Sequence, residues 1–153
     1  MHFETIDIDK HRDQVVEFRK DSFKVSFGKM SNFEKLDYIN WLEQKTNDFP
    51  GGFVLVEEDK RYIGQLELSI REYEGKMIGY VHLYYLIPEM RGKGKGKELN
   101  EYAIKFFKEH HVSDYHLRVS ITNTSAINFY HKIGMREVGL EVEGKVMRMK
   151  GYI

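Results

Sequence analysis

Apolar and polar residues alternate over Phe3–Ile8, which reads as a first strand. The interval then lengthens. Val15, Val16, Phe18 and Phe23 recur at helical spacing between about Lys10 and Phe23. A second helix is expected from Ser31, because Ser31 and Glu34 make a capping box ahead of Phe33, Leu36, Tyr38, Ile39 and Leu42. Pro50-Gly51-Gly52 ends it. Phe53–Glu57, Arg61–Ile70 and Met77–Ile87 are rich in β-branched and aromatic residues and read as strands. Glu58-Asp59-Lys60 and the Glu74-Gly75 region supply the turns between them.

The pattern changes at Pro88. A helix from about Gly94 to His110 gathers Leu99, Tyr102, Ala103, Phe106 and Phe107 on one face. Asp114–Ser120 is a strand, and Ser125–Lys132 a helix stopped at Gly134. Met135–Val142 and Lys145–Lys150 close as a hairpin around Glu143-Gly144. The order β-α-α-β-β-β-α-β-α-β-β predicts an α/β (α+β) fold with a mixed central β-sheet flanked by helices. A chain of 153 residues fits a single domain over 1–153. An open sheet edge and the terminal hairpin would accommodate a homodimer.

Composition removes several classes of function. Formal net charge is zero, so the chain-wide field that recruits nucleic acid or an acidic membrane is missing. The sequence contains no Cys, which excludes disulfides, thiolate metal sites and a Cys nucleophile, and fits a cytoplasmic setting. The acidic start Met1-His2-Phe3-Glu4 does not read as a signal peptide, and the longest apolar run, Leu83–Ile87, falls short of the ~20 residues of a membrane helix. His110 and His111 are adjacent, and His116 and His131 lack ligand spacing, so no metal is expected.

One segment carries candidate chemistry: Arg91-Gly92-Lys93-Gly94-Lys95-Gly96-Lys97, between a strand and a helix. Glycines let a ligand approach backbone N–H groups. The first N–H groups of a helix lack partners within it and sit at the positive end of its dipole. With Arg91, Lys93, Lys95 and Lys97 added, the segment suits a diphosphate. A Walker loop requires Ser or Thr after the Lys, but Glu98 follows Lys97. Gly92, Gly94 and Gly96 also miss the dinucleotide spacing. The residues alone leave a basic surface turn as the alternative.

Arg91-x-x-Gly94-x-Gly96 after a strand resembles the acetyl-CoA loop of the GCN5-related N-acetyltransferase (GNAT) superfamily. A second block, Val119…Asn123…Ala126-Ile127-Asn128-Phe129-Tyr130…Gly134-Met135, is similar to the same family's strand–helix segment. The resemblance covers roughly Ile78–Lys150. It implies an acetyl-CoA-dependent N-acetyltransferase, with acetyl-CoA as co-substrate and a primary amine of a small molecule or protein as acceptor. A CoA-binding sensor without catalysis and a basic-loop nucleic-acid binder are the competing readings.

The resemblance also implies roles. Tyr130 would protonate the departing thiolate. Backbone N–H groups where the third strand of the series splays, near Leu86 and Ile87, would hold the oxyanion. Asn123 would bond the pantetheine arm or cap the following helix, and Asn128 belongs to the same block. The base is open between His82, Glu67 and a chain of water. His82 should share one strand face with Tyr80 and Tyr84. Phe23, Phe27, Phe33 and Trp41 would wall the acceptor or pack in the core.

Overall fold

The computed structural model describes residues 1–27 and 34–153, the side chains of 25–27 excepted. Strand β1 (His2–Thr5) is shorter than its alternation predicts. Asp7 accounts for the stop: its carboxylate accepts the Asp9 N–H at 3.0 Å, opening helix α1 (Ile8–Phe27). Ile6 and Ile8 therefore enter the core from a turn and a helix. Helix α2 (Lys35–Asp48) starts later than the capping box predicts. Glu34 itself stands at the N-cap and makes no side-chain cap bond. Ser31 and Phe33 lie outside the described residues, as does the side chain of Phe27.

Strands β2 (Phe53–Glu58) and β3 (Arg61–Tyr73) are joined by Asp59-Lys60, at φ 54° and 63°, a two-residue turn whose twist suits a hairpin. Strand β4 (Lys76–Leu86) follows. Beyond it come helix α3 (Lys95–Glu109), strand β5 (Asp114–Ser120), helix α4 (Thr124–Lys132), and strands β6 (Arg136–Glu141) and β7 (Val146–Tyr152). The seven-stranded sheet runs β1-β2-β3-β4-β5-β7-β6. Its pairs are antiparallel except β4 with β5, so the sheet is mixed, as the element order predicts.

Register decides what each side chain faces. On β4, Gly79 faces Phe107 of α3, whereas Tyr80 and His82 face α2, where the Trp41 ring meets His82 at 5.1 Å. Leu83 pairs with Glu67 and Val81 with Leu68, which leaves His82 as an extra residue in β4. This bulge inverts the alternation beyond it. Tyr84 faces α3 and donates to Asn100 Oδ1 at 3.0 Å. Tyr85 faces α1, where it packs on Phe18 and donates to Asp21 at 2.6 Å. The expectation that Tyr80, His82 and Tyr84 share one face is corrected accordingly.

Parallel pairing of β4 with β5 stops at Val81↔Leu117. From there β4 continues along β3 to Leu86, and β5 continues along β7 to Ser120. The sheet is open between them.

Beside this opening, β5 and β7 bury a polar pair. His116 Nδ1 lies 2.9 Å from Arg148 Nη1, and both residues are buried. The guanidinium can only donate, so Nδ1 accepts and the imidazole is neutral. Burial first, then the Arg148 cation, lowers His116 to about 4. An unfolded His titrates near 6.5, so between these values the unfolded chain binds more protons. The contribution is complete above about 6.5 and is lost as pH falls toward 4. The urea midpoint should therefore drop from about pH 7 to about pH 5. His116→Asn, which keeps an acceptor for Arg148 without titrating, should show a smaller drop; an unchanged drop would remove His116 as a contributor.

Candidate active-site cleft

A cleft of about 1460 Å³ passes through the β4–β5 opening. On the α3–α4 side it runs along the glycine loop to Tyr130. On the α1–α2 side it reaches Tyr80, His82 and Trp41.

The loop follows a short 3-10 turn, Pro88–Met90. Gly94 is the N-cap of α3 and adopts φ 80°, a left-handed conformation that a side chain would strain. A Cβ there would meet nothing within 4 Å, so this part of the loop is open to a ligand. Gly96 has a different reason. Its Cβ would come within 3.0 Å of the Phe129 ring, so glycine lets α4 sit against the first turn of α3. Arg91, Gly92, Gly94, Gly96 and Lys97 line the cleft, below the unpartnered N–H groups of the first turn.

The four cations divide. Lys97 is exposed on the cleft wall. Arg91 is drawn back: Nε donates to the Leu86 carbonyl at 2.8 Å and Nη2 to Asp21 at 2.9 Å. Lys93 is exposed off the wall. Lys95 turns to the β2–β3 hairpin and pairs with Glu58 at 2.7 Å, so its charge is already matched. The sequence reading sets all four around the diphosphate; in the structure only Arg91 and Lys97 line the cleft, and of these Lys97 alone is not held by a neighbour among the described residues.

The strand end is also more selective than the sequence suggests. Ile87 N–H donates to Ile63 O at 2.9 Å, which occupies it. N–H groups alternate in direction along a strand, so Leu86 and Tyr84 turn theirs to the opposite edge, into the opening. Of the two residues expected at the oxyanion, Ile87 has its N–H committed to Ile63 O and only Leu86 turns its N–H into the opening.

Neither proposed carboxylate nor imidazole is a ready base. Glu67 is fully buried and does not line the cleft. Its oxygens accept from Arg19 at 2.9 Å, Tyr38 at 2.5 Å and Gln65 at 2.9 Å. Coupling to this carboxylate adds to burial in raising the Tyr38 phenol. His82 does line the cleft, with Nε2 at 2.7 Å from Ser69 Oγ. Burial first, then Arg71, Arg19 and Lys45, lowers it to about 3. It is neutral near pH 7 but has little appetite for a proton.

Asn123 caps α4, accepting the Ala126 N–H at 3.2 Å, and lines the cleft as well. Asn128 is exposed on α4 away from the cleft. Tyr130 is half-buried on the wall, its ring 6.4 Å from that of Tyr84. Burial pushes its phenol up, so it keeps its proton. Among the sequence-predicted aromatics, Phe23 and Trp41 reach the cleft. Three participants escaped the sequence reading. Asn100 receives the hydroxyls of Tyr84 and Tyr115, each at 3.0 Å. Its signal was a polar residue beside Leu99 and Ala103 on an apolar helix face. Asp21 and Arg118 gave no local signal, because their partners lie far along the chain.

Comparison with known proteins gives consistent findings. The model of the acetyltransferase (GNAT) family matches residues 12–135. An uncharacterised N-acetyltransferase of Methanocaldococcus jannaschii is 28% identical over 103 residues, covering 65% of this chain and 44% of that protein. The chain thus spans under half the length of that relative. One from Archaeoglobus fulgidus is 29% identical over 103 residues, covering 65% of this chain and 68% of its own. Among solved structures, a PaiA N-acetyltransferase of Thermoplasma acidophilum in complex with coenzyme A shares the fold. It has a TM-score of 0.74 at 20% identity, with 99% of this chain and 98% of that one covered. With the family pattern running along most of its length, the chain belongs to the acetyltransferase (GNAT) family.

Proposed function

We propose that this chain is an acetyl-CoA-dependent N-acetyltransferase that passes the acetyl group directly to a primary amine. The observation that carries the reading is the single cleft joining the N-terminus of α3 to Tyr130 through the β4–β5 opening. The CoA bound in the Thermoplasma relative supports the choice of diphosphate ligand.

The residues divide the work. The Gly92–Gly96 backbone and Lys97 hold the pyrophosphate. The Leu86 and Tyr84 N–H groups receive the negative charge that develops on the carbonyl oxygen. The amine nitrogen bonds to the acetyl carbon, the bond from that carbon to sulfur breaks, and Tyr130 gives its proton to the sulfur. An ammonium near pKa 10.4 must first lose a proton. With His82 held near 3 and Glu67 buried under Arg19, water in the cleft takes it, passing His82 as a neutral hydrogen-bonding neighbour. Both substrates are present together at transfer; the lack of Cys, which excludes a thiol-linked acetyl intermediate, agrees with this.

The decisive assay is thiol release from acetyl-CoA across a panel of amines; bound acetyl-CoA without release from any amine would favour the sensor reading. Tyr130→Phe should lower kcat about a hundredfold while the Kd for acetyl-CoA stays within about twofold. Unchanged turnover would take the acid role from Tyr130. Lys97→Gln should raise the KM for acetyl-CoA about three- to tenfold and leave that for acetyl-pantetheine, which lacks the diphosphate, unaltered. Equal effects on both would move Lys97 away from the phosphates.

A further inference from the structure

The α1–α2 half of the cleft differs from its phosphate end. Its floor is aromatic. His82 meets Tyr80 at 4.9 Å and Trp41 at 5.1 Å. One wall is cationic. Arg118 follows Leu117, the last residue of β5 paired with β4, so in register it stands across the opening from His82. Its side chain is 42% exposed and lines the cleft. Nε donates to Glu141 at 2.8 Å, and the remaining guanidinium donors are available to a ligand. Lys145, exposed in the β6–β7 turn, also lines the cleft and makes no ion pair among the described residues.

Charge on this wall is out of balance. Arg148 takes the other Glu141 oxygen at 2.8 Å, and Arg71 lies over the Tyr80 ring at 4.6 Å. Arg148 and Arg118 hold the Glu141 carboxyl below its usual range. Asp114, at the start of β5, is occupied by Lys76 and Lys150, and Glu143, in the turn that carries Lys145, does not line the cleft. Arg19, on the other side, is matched by Glu67. The facing wall carries Glu34 and Asp37, both exposed at the start of α2. The cleft is therefore bipolar, cationic along β5 and β7 and acidic at α2.

We infer that the acceptor is an amine that also carries a carboxylate, an amino-acid-like molecule, and that Arg118 and Lys145 bind its anion. The inference rests on the acetyltransferase reading and names the substrate class of that same site. A carboxylate answers the unmatched cations in a partly desolvated cleft, where a guanidinium fork binds it well. A simple diamine would add a positive charge against Arg118, Arg148 and Lys145, and this repulsion selects against it. The amine end lies on the Tyr80–His82–Trp41 floor, with Glu34 and Asp37 attracting its ammonium before it deprotonates.

The test is calorimetric binding to the CoA-loaded protein, using amines matched in all but the carboxylate: phenylalanine with phenethylamine, and lysine with cadaverine. The carboxylate-bearing member of each pair should bind at least about tenfold tighter. Arg118→Gln should abolish that preference with CoA affinity unaltered. Lys145→Gln, at an exposed turn remote from packing, should reduce it and gives the same information if Arg118→Gln folds poorly. Equal binding within the pairs, tighter binding of the decarboxylated members, or a preference that survives both substitutions overturns the inference. Thiol release is read in parallel. A carboxylate preference without release from any amine would sink the transferase reading and leave the anion site standing.

Discussion

One extra residue in β4 governs the rest of this molecule. His82 is inserted where β3 offers no partner, between Val81 and Leu83. Its insertion inverts the faces of every later β4 residue. Before it, Tyr80 looks toward α2; after it, Tyr84 looks toward α3. Parallel pairing with β5 ends at the same point. The sheet thus opens at a position where one strand presents aromatic side chains to both of its faces. A cleft through a sheet exposes unpaired backbone N–H groups, which are costly to bury without a partner. Here those groups are the very feature a developing oxyanion needs. The local defect in pairing and the proposed chemistry have one cause.

The same opening organises the charges. Arg71 and Arg19 act on His82, and Arg148 acts on His116. Both imidazoles are driven neutral, half-buried His82 to about 3 and buried His116 to about 4. A base that must capture a proton near pH 7 is poorly served by such surroundings. A neutral ring that donates or accepts a hydrogen bond is well served. Burial is the larger cause in both residues, so removing one arginine would not restore an ordinary histidine.

The legibility of the fold from sequence followed the range of the interactions involved. Strand and helix order was readable throughout, because period and turn chemistry are local. Gly134 and Asp114–Ser120 came out as the spacing predicts. The start of α2 did not, because Glu34 occupies the N-cap that the Ser31-Glu34 box assigns elsewhere. The bulge was invisible: Tyr80, His82 and Tyr84 look like one face until the register with Glu67 and Leu68 is known. The glycine loop was legible through its glycines and helix start, yet the placement of its lysines was not, since the partner of Lys95 lies on another hairpin. Likewise, the quiet fate of Glu67 depends on Arg19 and Tyr38, both from helices far upstream. Local chemistry marks candidate groups; only tertiary pairing says which of them are free.

That distinction separates the two ends of the cleft. The family match runs from residue 12 to residue 135, so it spans the glycine loop and Tyr130. The cationic wall owes Glu141, Lys145 and Arg148 to the chain beyond that limit. Of that wall only Arg118 lies inside the match, so its charge must be read from its own physics. There the decisive quantity is a count of matched charge rather than a motif. Glu141 has two oxygens and both are taken, by Arg118 and Arg148, while Lys145 stands unmatched beside them. A folded domain can tolerate such an excess in water at little cost, because exposed charges are screened. Inside a cleft closed by a bound acceptor it would be expensive unless the acceptor brought the missing negative charge.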